Sequence, residues 1–181
     1  FRLFTILNDR GIPLSNADIL KSINIGEVPE EDLDEYSKNW EYLEEKYHKG
    51  FDRFLSFVRT ILLKNKPASN LLDEYEKNIY RKNILKKGKN TIDFLVELDE
   101  IYDKIIDLND ENLSNEYKNL VTIMKIGLHS DEWIPAVMSY FLKFEYYNLD
   151  KFIKKLEYKF VGDLMSNVSP SKRRENLNNI I

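Results

Sequence analysis

The chain has 181 residues and no cysteine, which excludes disulfide bonds, thiolate metal sites and a cysteine nucleophile. Its apolar share of 43% is enough for the core of one domain, or of one domain with a subdomain. The small numbers of glycine (six) and proline (five) disfavour a β-sandwich or a glycine-rich nucleotide fold, and the net charge of −4 does not by itself indicate nucleic-acid binding.

The first part of the chain predicts a helix end, a polar turn and a new capped helix. Apolar spacing over residues 1–7 indicates the last turns of a helix. A polar turn over residues 8–11 follows, and Pro13 then keeps the chain extended. Ser15 is a good N-cap, and Asp18, three residues later, completes an acidic variant of the capping box.

After this stretch, apolar residues recur every three or four positions, and no segment shows the sustained alternation of a strand. The predicted helices span residues 15–24, 30–49, 51–64, 69–83, 91–108, 113–127, 130–147, 151–165 and 171–180. We therefore predict an all-α fold, an irregular bundle of about nine helices. Trp40 and Trp133 are expected to anchor its core, Ser69 to cap the fourth of these helices, and residues 86–90 to form an exposed loop.

One group of residues in the first part of the chain resembles the signature of a known family. The pattern consists of a Phe, an Asn-Asp-Arg-Gly turn, a Leu-Ser pair and an Asp followed by Ile or Leu and then by Leu-Lys, all at fixed spacing. The matching residues are Phe4, Asn8, Asp9, Arg10, Gly11, Leu14, Ser15, Asp18, Leu20 and Lys21. This pattern resembles the modification-dependent restriction endonucleases of GmrSD type, whose large N-terminal domain is a ParB-like, nucleotide-handling domain. The likeness continues loosely over most of the chain.

The resemblance implies that the chain is the helical middle of a longer bacterial protein. Residues 1–24 would close the nucleotide-domain motif, and residues 25–181 would form a helical subdomain or one continuous domain with them. The family's upstream Asp-Gly-Gln-Gln-Arg segment and its His-Asn-His-type nuclease do not occur in this sequence. We therefore expect no complete catalytic site here, although the parent would be a nucleotide-dependent DNA endonuclease that defends against phage.

The same resemblance implies cofactors and partners for the parent rather than for this segment. A nucleoside triphosphate and a divalent metal would act in the full-length protein, and this segment is expected to hold neither. Its partners would be the upstream nucleotide domain and the downstream nuclease domain of its own polypeptide, together with DNA. The absence of cysteine fits a reducing cytoplasm, and no apolar run approaches the ~20 residues of a membrane span.

The candidate nucleotide-site residues are Asn8, Asp9, Arg10, Gly11 and Lys21, which would share a site with the upstream domain. Two interpretations of the Asn8-Asp9-Arg10 trio stay open. In one, Asn8 and Asp9 bond the backbone of their own turn while Arg10 pairs with an acid. In the other, Arg10 contacts phosphate and Asn8 holds the loop or a water molecule.

Two segments concentrate positive charge. Residues 77–89 contain six bases and no acid, and residues 151–174 contain seven bases and two acids. A nucleic-acid surface where the two segments meet would use Lys82, Lys86, Lys87, Lys89, Lys172, Arg173 and Arg174. The alternative function is a non-enzymatic helical module that binds DNA or a protein partner. No metal site is predicted, because His48 and His129 lack the further ligands that a metal needs.

Overall fold

A computed structural model gives the structure, and it describes residues 14–128 and 130–181. All regular secondary structure in these residues is helical, which confirms the predicted all-α class. The helices, numbered in chain order, are α1 (Asn16–Ile25), α2 (Leu33–Tyr47), α3 (Phe51–Leu63), α4 (Leu71–Asp73, continued as a π-helix over Glu74–Tyr80), α5 (Lys89–Ile105), α6 (Asn115–Gly127), α7 (Ile134–Phe144), α8 (Leu149–Met165) and α9 (Pro170–Asn178). Short 3-10 turns, Glu30–Asp32 and His48–Gly50, precede α2 and α3.

Helix α1 begins as the sequence predicts. The Ser15 hydroxyl accepts a hydrogen bond from the backbone N–H of Asp18 at 3.1 Å, and the Asp18 carboxylate accepts one from the Ser15 N–H at 2.8 Å. Both halves of the capping box are therefore formed, and they satisfy two N–H groups that the first turn of a helix leaves without an intrahelical acceptor.

Helix α4 has its N-cap one residue later than predicted. Its N-cap is Asn70, whose side chain accepts from the N–H of Asp73 at 2.9 Å. The predicted cap, Ser69, donates its own N–H and hydroxyl to the Glu74 carboxylate at 3.0 and 3.1 Å. The prediction of a Ser69 cap was therefore wrong, because Ser69 hydrogen-bonds instead to the buried carboxylate of Glu74, five residues later.

The described residues fall into two compact units. The first contains residues 14–59 and 67–96, and the second contains residues 60–66 and 97–181. Helices α3 and α5 each contribute residues to both units. Helix α1 lies in the first unit and packs against α2 and α4. The predicted functional division between residues 24 and 25 stays a prediction.

The core of the first unit is aromatic. Trp40 of α2 is fully buried and meets Phe51 of α3 edge to face, with ring centroids 5.6 Å apart. Its indole N–H donates to the Glu44 carboxylate at 2.9 Å. Tyr47 stacks on Phe54 at 4.3 Å. The prediction that Trp40 is a core anchor is confirmed, and its polar nitrogen has the partner that a buried indole requires.

The second unit is organised by the packing of α6 against α8. Helix α8 contributes buried Ile153, Leu156 and Phe160, which share one helical face. Trp133, just before α7, is buried, and its indole N–H donates to the backbone oxygen of Ser130 at 3.0 Å. Trp133 is therefore a core anchor, as predicted. None of the helices in the described ranges is long and apolar enough to cross a membrane.

Candidate nucleic-acid interface

The predicted nucleotide-site residues Asn8, Asp9, Arg10 and Gly11 lie outside the described residues. Lys21 lies on α1, where its ammonium group is 2.8 Å from the Glu44 carboxylate and 3.8 Å from that of Glu41. These two ion pairs connect α1 to α2, so Lys21 has a structural role in the first unit. A role for Lys21 in a shared nucleotide site stays a prediction.

A cleft in the first unit lies beside the end of α4 and contains two of the predicted nucleic-acid residues. It has a volume of about 500 Å³, and we call it the basic cleft. Its lining residues are Glu76, Tyr80, Arg81, Asn83, Lys86 and Lys87. Asn83 adopts a left-handed backbone conformation with φ 53°, which helps the chain turn between α4 and α5.

The six bases of the segment 77–89 divide into two groups. Lys77 pairs with Asp73 at 3.1 Å, and Lys89 pairs with Asp32 at 2.8 Å, so both charges are compensated. The other four bases are exposed and have no carboxylate within 4 Å anywhere in the described part of the chain; they are Arg81, Lys82, Lys86 and Lys87. Positive charge without an internal partner therefore concentrates around the basic cleft.

One buried side chain holds the cleft in shape. Asn24, near the end of α1, is 1% exposed. Its amide nitrogen lies 2.9 Å from the Tyr80 hydroxyl and donates to the Leu20 carbonyl at 2.8 Å, and its amide oxygen accepts from the Gly88 N–H at 3.1 Å. Asn24 therefore connects the wall of the cleft, at Tyr80, to the turn before α5, at Gly88.

The Tyr80 ring forms part of the cleft wall. It is buried, and burial raises the pKa of its hydroxyl, so the group stays protonated. The Lys87 ammonium lies 5.4 Å from the centre of the ring, within cation–π distance. This contact holds one cationic group of the cleft lining beside the ring without neutralising its charge.

The turn before α5 differs from the sequence prediction of an exposed loop over residues 86–90. Helix α5 already begins at Lys89, and Gly88 is buried. Gly88 has φ +81°, and a Cβ at this position would lie 3.0 Å from the Glu27 carbonyl oxygen. Only glycine fits there without strain. The prediction was wrong at Gly88 because a contact with a residue 61 positions earlier leaves no local pattern.

Sequence reasoning did not identify Asn24 or Tyr80 as parts of this site. The available signal was weak: Asn24 lies four residues after Leu20, so a polar residue occupies the buried face of α1. A buried amide requires hydrogen-bond partners, and such a position predicts a long-range contact without saying to which residue.

The second predicted group of bases lies on α9 in the second unit. The Arg174 Nε is 3.0 Å from one Glu132 carboxylate oxygen, and the Arg173 Nε is 3.7 Å from the other. Arg173 also donates to the Val168 carbonyl at 2.7 Å, and Lys172 pairs with Glu175 at 3.1 Å. These charges attach α9 to the residues before α7. The prediction that both basic segments form one surface stays a prediction.

Among residues 14–128 and 130–181, no group of three or more histidine or acidic residues is arranged to hold a metal ion. Comparison of the chain with protein-family models, curated proteins and solved structures gives no match. The basic cleft is a small cationic site with an aromatic wall, held by a buried asparagine. Such a site can bind phosphate groups electrostatically.

Proposed function

We propose that this chain is the helical, DNA-contacting part of a nucleotide-dependent DNA endonuclease of GmrSD type and carries no complete active site itself. The resemblance of residues 4–21 to the family signature supports the family. The observation that supports the DNA contact is a cluster of four exposed bases, none of which has a carboxylate within 4 Å in the described part of the chain: Arg81, Lys82, Lys86 and Lys87.

The contact would be made to the phosphate backbone. A cleft of about 500 Å³ is far too small for a duplex, so only phosphates and the adjoining sugars would reach it. Lysine and arginine bind phosphates through charge and position a protein on DNA without selecting a sequence. Sequence or modification recognition would therefore belong to another part of the parent protein.

The test is duplex-DNA binding measured by fluorescence anisotropy over a series of salt concentrations. The variant Lys86→Gln/Lys87→Gln removes two uncompensated charges. Each phosphate contact contributes about 0.9 to the slope of log K against log salt, so the slope should fall by about 2. The matched control is Lys38→Gln/Lys77→Gln, which changes the net charge equally but removes charges already paired with Asp34 and Asp73.

We expect the control to keep the wild-type slope. Equal slopes for the two double variants would show that the cleft is not the contact. If the wild-type chain does not bind duplex at micromolar concentration and low salt, the DNA-contacting function is wrong. The alternative function, a helical module that binds a protein partner, would then be favoured. Exposed apolar side chains that could contact such a partner include Ile126 and Met165, whose exposed fractions are 76% and 82%.

A further inference from the structure

Helices α6 and α8 of the second unit pack against each other but leave large apolar side chains in solvent. The exposed fractions of these side chains are 57% for Ile123, 76% for Ile126, 68% for Tyr158 and 82% for Met165. A single exposed apolar residue is ordinary on a protein surface, whereas a contiguous group marks an interaction surface. Their meaning therefore depends on whether the four are neighbours.

Two contacts fix how α6 and α8 are aligned. The Ser114 hydroxyl, at the N-cap of α6, donates to the carboxylate of Asp150, in the first turn of α8. The Lys154 ammonium donates to the Glu116 carboxylate at 3.2 Å. The two helices therefore begin at the same end and run in the same direction, so equal numbers of residues after Glu116 and Lys154 reach the same level.

The four apolar side chains lie along the groove between these two helices. On α8, Tyr158 and Met165 are four and eleven residues after Lys154 and share its side of the helix. On α6, Ile123 is seven residues after the carboxylate that Lys154 contacts, and Ile126 lies almost one turn further along. The four side chains are therefore contiguous, and we call this surface the apolar groove.

A glycine leaves room for a partner beside the apolar groove. Gly162 lies inside α8 and is exposed, and an added Cβ there would meet nothing within 4 Å in the described part of the chain. Glycine destabilises the interior of a helix relative to alanine. Because no contact within the described residues requires its small size, Gly162 fits the close approach of a helix from another molecule.

The charges beside the apolar groove are positive. Lys151 and Lys155 of α8 are exposed, and neither has a carboxylate within 4 Å among the described residues. They lie seven and three residues before Tyr158, so they adjoin the groove on the same helix. Two copies of this surface would bring like charges together, which disfavours a groove-to-groove contact. The apolar groove therefore favours an acidic helical surface as its partner.

The chain itself carries an acidic helical surface with an exposed aromatic ring. Residues 27–50 contain nine acids and three bases. On α2, Glu35 and Glu45 are exposed and have no base within 4 Å in the described ranges. Tyr42, which is 51% exposed, lies seven residues after Glu35 and three before Glu45, so the three share one side of α2. We call this surface the acidic face of α2.

We propose that the apolar groove of one copy of the chain binds the acidic face of α2 of a second copy. The contact would take the exposed apolar side chains out of water and place opposite charges across the interface. Because the two surfaces differ, the contact is heterologous, and it continues from copy to copy unless a ring closes. This association goes beyond the proposed function, since it requires neither DNA nor the basic cleft.

The experiment is sedimentation equilibrium of the chain without DNA, over a range of protein concentrations at low and at high salt. We expect the average mass to rise above the 21.6 kDa of one chain as the concentration increases. The rise should be smaller at high salt, because salt screens the charges beside the groove. A chain that stays monomeric up to ~1 mM at low salt, where even a millimolar Kd gives visible association, would overturn the proposal.

Two double variants each remove one side of the contact. Ile126→Gln/Met165→Gln removes the two most exposed apolar side chains of the groove, and Glu35→Lys/Glu45→Lys reverses the charge of the acidic face. Each variant alone should associate at least about tenfold more weakly than the wild type. An equimolar mixture should recover a complex of two chains, because each variant keeps the surface that the other has lost. Recovery in the mixture also shows that both variants are folded.

Controls separate this contact from general effects of charge and apolar surface. Glu97→Lys/Glu100→Lys changes the net charge equally at two exposed acids of α5, and Ile84→Gln removes an apolar side chain that is 43% exposed outside the groove. Both controls should associate like the wild type. The proposal is overturned if either double variant of the contact also associates like the wild type, or if the mixture associates no more tightly than its components.

Discussion

Glu74 provides the sharpest prediction, because its carboxylate is buried and heavily bonded. It is 1% exposed and accepts hydrogen bonds from the Arg59 guanidinium at 3.0 and 2.6 Å. The backbone N–H groups of Ala68 and Ser69 donate to its other oxygen at 2.9 and 3.0 Å. Burial alone would raise the pKa of Glu74, but these bonds outweigh burial and lower it to about 2.

The substitution Glu74→Gln removes the charge and keeps the shape. The carboxyl pKa falls from 4.5 to about 2 on folding, which corresponds to ~3 kcal/mol of folding free energy at 1.36 kcal/mol per pKa unit. A loss of about 3 kcal/mol also agrees with the ~3–5 kcal/mol typical of removing one partner of a buried ion pair. We therefore expect the variant to be about 3 kcal/mol less stable than the wild type near pH 7.

The pH dependence provides the control on this explanation. Because the folded pKa is lowered, the stabilisation by Glu74 is complete above the unfolded value of 4.5 and disappears as the pH falls towards 2. The gap between wild type and Glu74→Gln should therefore shrink over that range. Urea denaturation at about pH 7, 5 and 3 measures it.

A matched control is Glu116→Gln, which removes an exposed carboxylate paired with Lys154 and should cost no more than about 1 kcal/mol. A gap for Glu74→Gln that is the same at low and neutral pH, or no larger than that of the control, would refute the electrostatic explanation.

Three further substitutions test the first unit and its cleft. Gly88→Ala should lower the free energy of unfolding by about 1–3 kcal/mol, because φ is +81° there and the new Cβ would lie 3.0 Å from the Glu27 carbonyl oxygen. The control is Gly127→Ala, whose Cβ would meet nothing within 4 Å and should leave the stability unchanged. Thermal denaturation measures both variants. Asn24→Leu should destabilise the chain by about 1–3 kcal/mol and speed hydrogen exchange at the Gly88 amide, because that amide loses its acceptor. If the Gly88 amide stays as protected as in the wild type, Asn24 does not hold this turn in place. Ser15→Ala should cost about 1 kcal/mol in urea denaturation, and an unchanged midpoint would mean that the cap contributes nothing.

The parts of the fold that could be predicted from the sequence are those fixed by local chemistry. Apolar spacing indicated where the helices lie, and the pair Ser15 and Asp18 located the start of α1 correctly. Local patterns gave less information about burial. The sequence alone predicts that the adjacent acids Asp99 and Glu100 are both solvated, and this prediction is wrong for Asp99, which is only 2% exposed. Adjacent residues on a helix point in different directions, and tertiary packing decides which one is buried.

The site depends on contacts that no local pattern reveals. Within the segment 77–89, the sequence shows six equivalent bases, but Lys89 is compensated by Asp32, which is 57 positions away. The tether from Asn24 to Gly88 spans 64 positions. Which cations are free to bind an external anion is therefore a property of the tertiary structure, and the sequence can only supply the candidates.

The π-helical part of α4 makes the length of this segment as important as its composition. In it, the Arg81 N–H donates to the carbonyl of Glu76, five residues earlier, so this hydrogen bond spans one residue more than an α-helical one. The segment is fixed at one end by Glu74, bonded to Arg59, and at the other by Tyr80, bonded to Asn24. Deleting one residue between these two anchors would rotate the residues after the deletion by about 100° around the helix axis. Tyr80 would then point away from Asn24, its hydrogen-bond partner. Related chains that keep this cleft should therefore tolerate substitutions between these two anchors but not changes in length.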